Sequence, residues 1–344
     1  GKELPEDFKY QLFPTKQKEY ELAYAGKMRK EGILANEDGV FPVPLQVEKV
    51  FNGNEYEAFD DDWKNMIVFG DNLQFLKTIY ENKDPLIKDK VKGKVKLIYI
   101  DPPFATTGEF QNKEGAKAYN DKKKGAEFVE FLRKRLIVAK EILADDGSIF
   151  VHLDQKMSHY IKIVMDEVFG KQRFINEIIW GYRIQGVGKK FWARKHDTIF
   201  YYRKSENYTF YPEKEINIYE SPFIDTKVEK CSIDKLKEKD KQIINNNINN
   251  NESIPYRYKK NLFDTYYSEV YVRDVWDCDS TKPLISGSSE YFNYPTQKPE
   301  GLFFRIIKST TNEGDIVLDF FGGSGSTMAV AEKLGRKWIT CDLG

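Results

Sequence analysis

The sequence predicts an α/β fold: a doubly wound, mostly parallel sheet carrying an inserted region of different character. Three observations support this. Short apolar runs alternate with amphipathic helical patterns from Met66 to Asp154, the rhythm of βαβ units. A second stretch, Asp315 to Asp342, repeats the order strand, glycine-rich turn, helix, strand. Between them, Ser205 to about Glu290 is rich in Lys, Asn, Tyr and Glu and loses the rhythm, with a low-complexity run from Asn245 to Asn251.

Taken in order, residues 1–62 read as an N-terminal arm. Gln17 to Arg29 has helical spacing (Tyr20, Leu22, Tyr24, Met28), followed by Pro42, Pro44 and acidic turns. Packing on the main domain is the plain reading, and a DNA or subunit contact is the alternative. Met66-Ile67-Val68-Phe69 is a short strand, and Gly70-Asp71-Asn72 turns into a helix from Leu73 to Tyr80 with Leu73, Leu76 and Tyr80 on one face. Leu97-Ile98-Tyr99-Ile100 is a buried strand that stops at Pro102-Pro103, because proline can neither donate to a ladder nor extend it. Ala105 to Gly125 is polar and lysine-rich, a long irregular stretch of the kind that often serves function.

Ala126 to Leu143 is strongly periodic, with a core face that includes Phe128, Phe131, Leu132, Leu136 and Ile142. Asp146-Gly147 is read as its stop, and Ser148 to Asp154 as the next strand. A helix from Lys156 to Phe169 and strands at Asn176–Trp180 and Thr198–Arg203 follow. Beyond the inserted region come a helix at Gly301–Ser309, a strand at Asp315–Asp319, a helix at Met328–Leu334 and a strand at Trp338–Asp342.

Two stretches carry chemistry. Asp101 and the Pro102 carbonyl, delivered to a sheet edge, are both acceptors and together suit the two hydrogens of an exocyclic amine, while Phe104 offers a face for a planar base. Taken alone, the tetrapeptide reads equally well as a strand ending in a proline turn with a helix-capping Asp. The second stretch, Phe320-Phe321-Gly322-Gly323-Ser324-Gly325-Ser326-Thr327, follows a strand and opens a helix, as in loops whose glycines let backbone approach a nucleotide-type ligand. Asp342, ending the next strand, is placed to hold ribose hydroxyls.

With these motifs the chain resembles the S-adenosylmethionine-dependent DNA amino-methyltransferases of the β class, in which a D/N/S-P-P-Y/F motif precedes an F-x-G-x-G motif. It looks most like the modification (Mod) subunits of type III restriction-modification systems. Val68 to Leu73 looks like the family's G-D-N-L stretch and Tyr294 to Pro299 like its Y-P-T-Q-K-P stretch, so the resemblance runs from Tyr20 to Asp342. It implies a Rossmann-like methyltransferase fold divided into a catalytic half (63–204), a target recognition region (205–290) and a cofactor-binding half (291–344). It implies Asp101, Pro102, Pro103 and Phe104 as catalytic. It also implies S-adenosyl-L-methionine held by Asp71, Thr296, Lys298, Asp319, Phe320, Phe321, Gly323, Ser324, Gly325 and Asp342. For Asp71, a simple N-cap has equal standing. The loop after Phe104 closes over a flipped base in such enzymes. A further family motif follows the acid that Asp342 matches, so the last part of the sheet is expected to be missing or not covered.

From Gly181 to Lys204 the chain carries Arg183, Lys189, Lys190, Arg194, Lys195, Arg203 and Lys204 against the single acid Asp197, interleaved with Tyr182, Phe191, Trp192, Tyr201 and Tyr202. Basic groups hold phosphates and aromatics stack on bases, so Arg183, Lys189, Lys190, Arg194 and Lys195 are the expected DNA contacts. A solvated basic loop beside a structural strand is the bland alternative.

Bulk composition adds limits. Lys+Arg and Asp+Glu both number 54, so the net charge is zero and binding to double-stranded DNA must come from local patches. Cys231, Cys278 and Cys341 are far apart and odd in number, which argues against disulfides and zinc and fits a reducing cytoplasm. His152, His159 and His196 do not cluster in sequence, so no metal is expected, and His152 is read as a core or hydrogen-bonded histidine. No apolar run is long enough to span a membrane and no charged-then-apolar leader pattern is seen in this sequence, so neither membrane nor secretion is expected. The opening Gly1 and the end two residues past Asp342 read as a piece of a longer chain.

The expected mechanism flips an adenine out of the duplex, at a cost of about a few kcal/mol, of which stacking on Phe104 returns about 1–3 kcal/mol. The N6 amine is then presented between Asp101 and the Pro102 carbonyl. Asp at the first motif position favours adenine by resemblance, and Phe104 in place of the usual Tyr keeps the stacking face. N4-cytosine methylation and an inactive DNA-binding specificity subunit are the alternatives. By resemblance only, a restriction subunit and a homodimer are candidate partners.

Overall fold

A computed structural model describes residues 21–51, 59, 61, 63–103, 125–182, 190–219, 229–231, 265–277, 281–284 and 287–343. Phe104, Arg183, Lys189, the 105–124 stretch and the Asn245–Asn251 run lie outside them.

The described strands are β1 (Met66–Phe69), β2 (Val95–Ile100), β3 (Leu143–Leu153), β4 (Phe174–Gly181), β5 (His196–Arg203), β6 (Lys214–Tyr219), β7 (Glu229–Cys231), β8 (Thr265–Tyr271), β9 (Val275–Trp276), β10 (Ile316–Asp319) and β11 (Lys337–Asp342). The helices are α1 (Lys30–Leu34), α2 (Asn72–Glu81), α3 (Ala126–Ile142), α4 (Ser158–Phe169), α5 (Glu300–Thr310) and α6 (Ser326–Lys333). Eight strands form the main sheet in the order β1-β11-β10-β2-β3-β5-β4-β9. From β1 to β3 every pairing is parallel, whereas β5 runs antiparallel to both β3 and β4. A separate antiparallel sheet, β6-β8-β7, is built from the inserted region.

Strand β2 shows why the sheet is doubly wound. Successive side chains of a strand point to opposite faces. Ile98 and Ile100 pack with Leu76 of α2, Leu132 and Leu136 of α3 and Val164 of α4. Leu97 and Tyr99 pack on the other face with Leu302 and Ile306 of α5 and Val330 of α6. Both faces are covered, so β2 reads as a continuous apolar run rather than an alternating one.

Three sequence expectations are corrected. Residues 21–29 form no helix despite their spacing. Side chains of α3 and α4 take up the arm's groups: Glu130 accepts from the Tyr24 hydroxyl and from the Met28 N–H (3.2 Å), Arg133 donates to the Met28 carbonyl (2.8 Å), and Lys27 reaches Glu167 at 2.7 Å. Leu22, Tyr24 and Met28 still pack against the core. Asp146-Gly147 does not separate helix from strand. Leu143 already pairs with Val95, and the turn residues lie within β3 at a register shift. Finally, the flank of the sheet beyond β11 is occupied by β1, which comes from early in the chain and pairs in parallel from Met66↔Ile339 to Phe69↔Asp342.

Leu318 in β10 is fully buried between β11 and β2. Leu318→Ala should destabilise the domain by about 2–5 kcal/mol, read as a lower urea midpoint with unchanged slope.

Candidate active site

The sheet brings the two chemical motifs together. β2 leads through α3 to β3 on one side, and β10 leads through α6 to β11 on the other, while β2 and β10 are themselves paired (Leu318↔Ile98). The connections therefore diverge between these strands, and a crevice opens outside their carboxyl ends, where ligands of doubly wound sheets bind. Asp101-Pro102-Pro103 leaves β2 at that point and Phe320-Phe321-Gly322 leaves β10 beside it.

Asp101 is not alone there. The Lys298 ammonium donates to Asp101 Oδ2, and the two side chains are 11% and 19% exposed. Lys298 comes from the Tyr294–Pro299 stretch ahead of α5. That stretch is pinned by Gln297, whose side-chain Oε1 accepts from the Phe292 N–H (2.8 Å) and whose backbone N–H donates to the Tyr294 carbonyl (3.1 Å). Thr296 is exposed on the same turn.

The turn after β10 is held from three sides. Asp319 is buried, accepting from the Phe321 N–H at 3.0 Å and the Thr327 hydroxyl at 2.7 Å. Burial pushes its carboxyl up to about 7, with the Asp101 and Asp342 carboxylates adding to the effect and the two hydrogen bonds opposing it. Gly322 sits against β11: a Cβ there would lie 2.0 Å from Thr340 Oγ1, so glycine is required by packing within the protein itself. Gly325, at φ +84°, caps α6 in the left-handed region that favours glycine. Gly323 donates its N–H to Asp342 Oδ2 at 2.7 Å, tying the end of β11 to the turn, and Asp342 is only partly buried. Its other oxygen, Oδ1, accepts from the Leu343 N–H at 2.7 Å. Ser324 lies 3.1 Å from the Ser326 hydroxyl, and Phe320 and Phe321 are buried beneath the turn.

Asp71 is the N-cap of α2, accepting from the N–H groups of Leu73 (2.9 Å) and Gln74 (3.0 Å). Its neighbour Asn72 reaches the site, donating to the Phe320 carbonyl at 2.6 Å and accepting from Arg135 Nε at 2.5 Å. Arg135 also bonds the Phe131 carbonyl at 2.9 Å and lies 3.4 Å from Asp71. Sequence reasoning missed this hub. Its signal is a basic residue, Arg135, on the apolar face of α3. Cys341 closes the same corner: its thiol, pushed up to about 12 by burial, donates to the Gly70 carbonyl at 3.5 Å.

Behind Asp101 runs a buried polar chain. The Tyr99 hydroxyl lies 2.7 Å from His152 Nδ1, His152 Nε2 lies 3.2 Å from Asp197 Oδ2, and Tyr182 donates to Asp197 Oδ1 at 2.6 Å. His152 is fully buried within it. Burial works against the Asp197 carboxylate, but the His152 bond and charge, helped by Tyr182 and Lys298, outweigh it and hold the carboxyl below its usual range.

Of the basic segment, Lys190 and Arg194 are exposed and Lys195 is half-buried. They lie between β4 and β5, where Gly181 pairs with His196. β5 runs antiparallel to β3, so this connection leaves the sheet at the edge to which β2 delivers Asp101. Trp192 there is 96% exposed, beside Phe191 with Arg194 over its ring at 5.4 Å. Among the described residues no group of three or more His, Cys, Asp or Glu could hold a metal ion, and no helix is long and apolar enough to cross a membrane.

Asp319 gives a pH prediction. An unfolded carboxyl titrates near 3.8, whereas the folded one titrates near 7, so between these values the folded state holds a proton that the unfolded state has released. Its contribution to stability is therefore lost as pH rises from about 4 to 7 and is level above that. The stability of Asp319→Asn relative to the parent should rise with pH across that window in urea titrations.

Comparison with known proteins agrees with this geometry. Residues 95–344 match a family model described as DNA methylase, covering N6 and N4 enzymes. The chain is 28% identical to the type II methyltransferase M.EcaI of Enterobacter cloacae, over 93% of this chain and 74% of that protein. It is 29% identical to the probable type III restriction-modification enzyme HindVI Mod subunit of Haemophilus influenzae, over 80% of this chain and 48% of the subunit, thus spanning about half of that relative. It is 28% identical to the DNA adenine methyltransferase YhdJ of Escherichia coli, over 85% and 82%. With both motifs at one switch point and the family match running from β2 to the end of the chain, this protein belongs to the N6/N4 DNA methylase family.

Proposed function

We propose that the chain methylates the N6 amino group of adenine in duplex DNA, using S-adenosyl-L-methionine, within a restriction-modification system. The observation that carries this is the placement of Asp101-Pro102 beside the glycine turn of β10 at the switch point. The names of the relatives, which include type II and type III modification enzymes and an adenine methyltransferase, support the setting and the base.

The residues fit the cofactor. Gly323 and Gly325 open the turn to close approach, and the part-exposed Asp342 carboxylate suits ribose hydroxyls. The charges of Asp101 and Asp342 reach Asp319, so the surroundings favour a cation. When bound, S-adenosyl-L-methionine supplies an electrophilic methyl on a sulfonium sulfur. The protein's part is positioning and electrostatics. Asp101 and the Pro102 carbonyl take the amine hydrogens, drawing the nitrogen lone pair out of the ring's conjugation. The same carboxylate then faces the positive charge that develops on nitrogen. Lys190, Arg194 and Lys195 contact phosphates, and the inserted region reads the sequence.

Digestion and mass spectrometry of DNA incubated with the protein and cofactor should show N6-methyladenine that vanishes with Asp101→Ala. N4-methylcytosine would keep the mechanism and change the base, and no methylated base would overturn the proposal. For the DNA contact, Arg194→Ala should weaken binding about equally on all sequences and lower the slope of log affinity against log salt by about 1.

A further inference from the structure

Lys298 is the cation that meets the catalytic carboxylate, and its surroundings point to a purpose beyond cofactor contact. The ammonium donates to Oδ2 of Asp101. It is delivered from a rigid place. Besides the two Gln297 bonds, the Glu300 N–H donates to Glu290 at 2.9 Å, and Glu300 itself is tied to Lys333 of α6 at 2.5 Å. Lys298 is 9% exposed, too little for a solvated surface cation. Its charge also acts on Asp197, the anchor of the buried chain through His152 to Tyr99, two residues before Asp101.

A carboxylate has two oxygens. With Oδ2 engaged by Lys298, rotation of Asp101 is restricted, and among the described residues Oδ1 is the oxygen left to meet an incoming amine. We propose that Lys298 is a positioning residue that fixes the Asp101 carboxylate so that one oxygen is presented to the target amine. This rests on the methylation reading above. It assigns Lys298 to the methyl-accepting side of the crevice, and it predicts that the side chain acts through Asp101 and not through cofactor affinity.

A double-mutant cycle on single-turnover methyl transfer at saturating cofactor, with calorimetric cofactor binding for each variant, tests this. Lys298→Met keeps length without charge and should slow transfer on the order of a hundredfold, the scale of a misplaced catalytic group, while leaving the cofactor dissociation constant near that of the parent. In the Asp101→Asn background the same change should cost little, and Lys298→Arg should recover part of the rate. Cofactor binding by Lys298→Met also reports that the variant is folded. A rate loss matched by weaker cofactor binding, or an equal loss in both backgrounds, would overturn the assignment. A parent protein that forms no methylated base would instead overturn the reading on which it rests.

Discussion

The parallel pairing of β2 with β10 is the constraint on which the rest depends. Their partners in sequence, β3 and β11, lie on opposite sides, so the chain must leave the two strand ends in different directions. Every side chain of β10, and all but one of β2, is buried, so both strands must be stopped at that edge. The proline pair after β2 and the glycine turn after β10 are two solutions to one problem, that of stopping a fully buried strand at the same edge. Pro102 and Pro103 end the ladder by lacking donors. The turn after β10 ends it by folding onto β11, which is why Gly322 has no room for a Cβ.

That edge concentrates acid. Burial pushes Asp319 toward its neutral form, Asp101 and Asp342 lie close enough to add to that effect, and Asp71 is at the neighbouring helix start. Two basic side chains meet this charge in different ways. Arg135 comes up from α3 and, through Asn72, fastens the Phe320 carbonyl, so it stabilises the backbone of the turn. Lys298 comes from the opposite layer and fastens a side chain, Asp101. A buried charge left without its partner costs several kcal/mol or more, so each acid here is coupled to a cation or to a chain of hydrogen bonds.

Much of the fold was legible because β2, β3, β10 and β11 are short apolar runs bounded by turn residues, and α3 and α4 are long enough for their period to be unambiguous. The arm departs from its helical spacing because Tyr24 and Met28 are spaced for a different reason: both meet Glu130 of α3, which accepts from the Tyr24 hydroxyl and from the Met28 N–H. Spacing reports which residues are buried, not what they are buried against. Asp101, the glycine turn and Asp342 were visible as motifs, each being local in sequence. The Lys298–Asp101 pair and the Asn72–Arg135 hub span 197 and 63 residues, and only the sheet order makes them neighbours.

Helix α5 gives the molecule a second kind of continuity. Lys298 stands just before its first turn, and its later turns hold the inserted region. Arg305 lies 3.6 Å from Glu215 of β6 and over the Trp276 ring at 5.2 Å, and the Ser309 carbonyl accepts from the Tyr211 N–H at 2.7 Å. Trp276 in turn belongs to β9, which pairs with β4 at the edge of the main sheet. The helix packs its other residues, Leu302 and Ile306, under Leu97 and Tyr99 of β2. One rigid element thus touches the strand that delivers Asp101, the lysine that holds it and the region proposed to read the target.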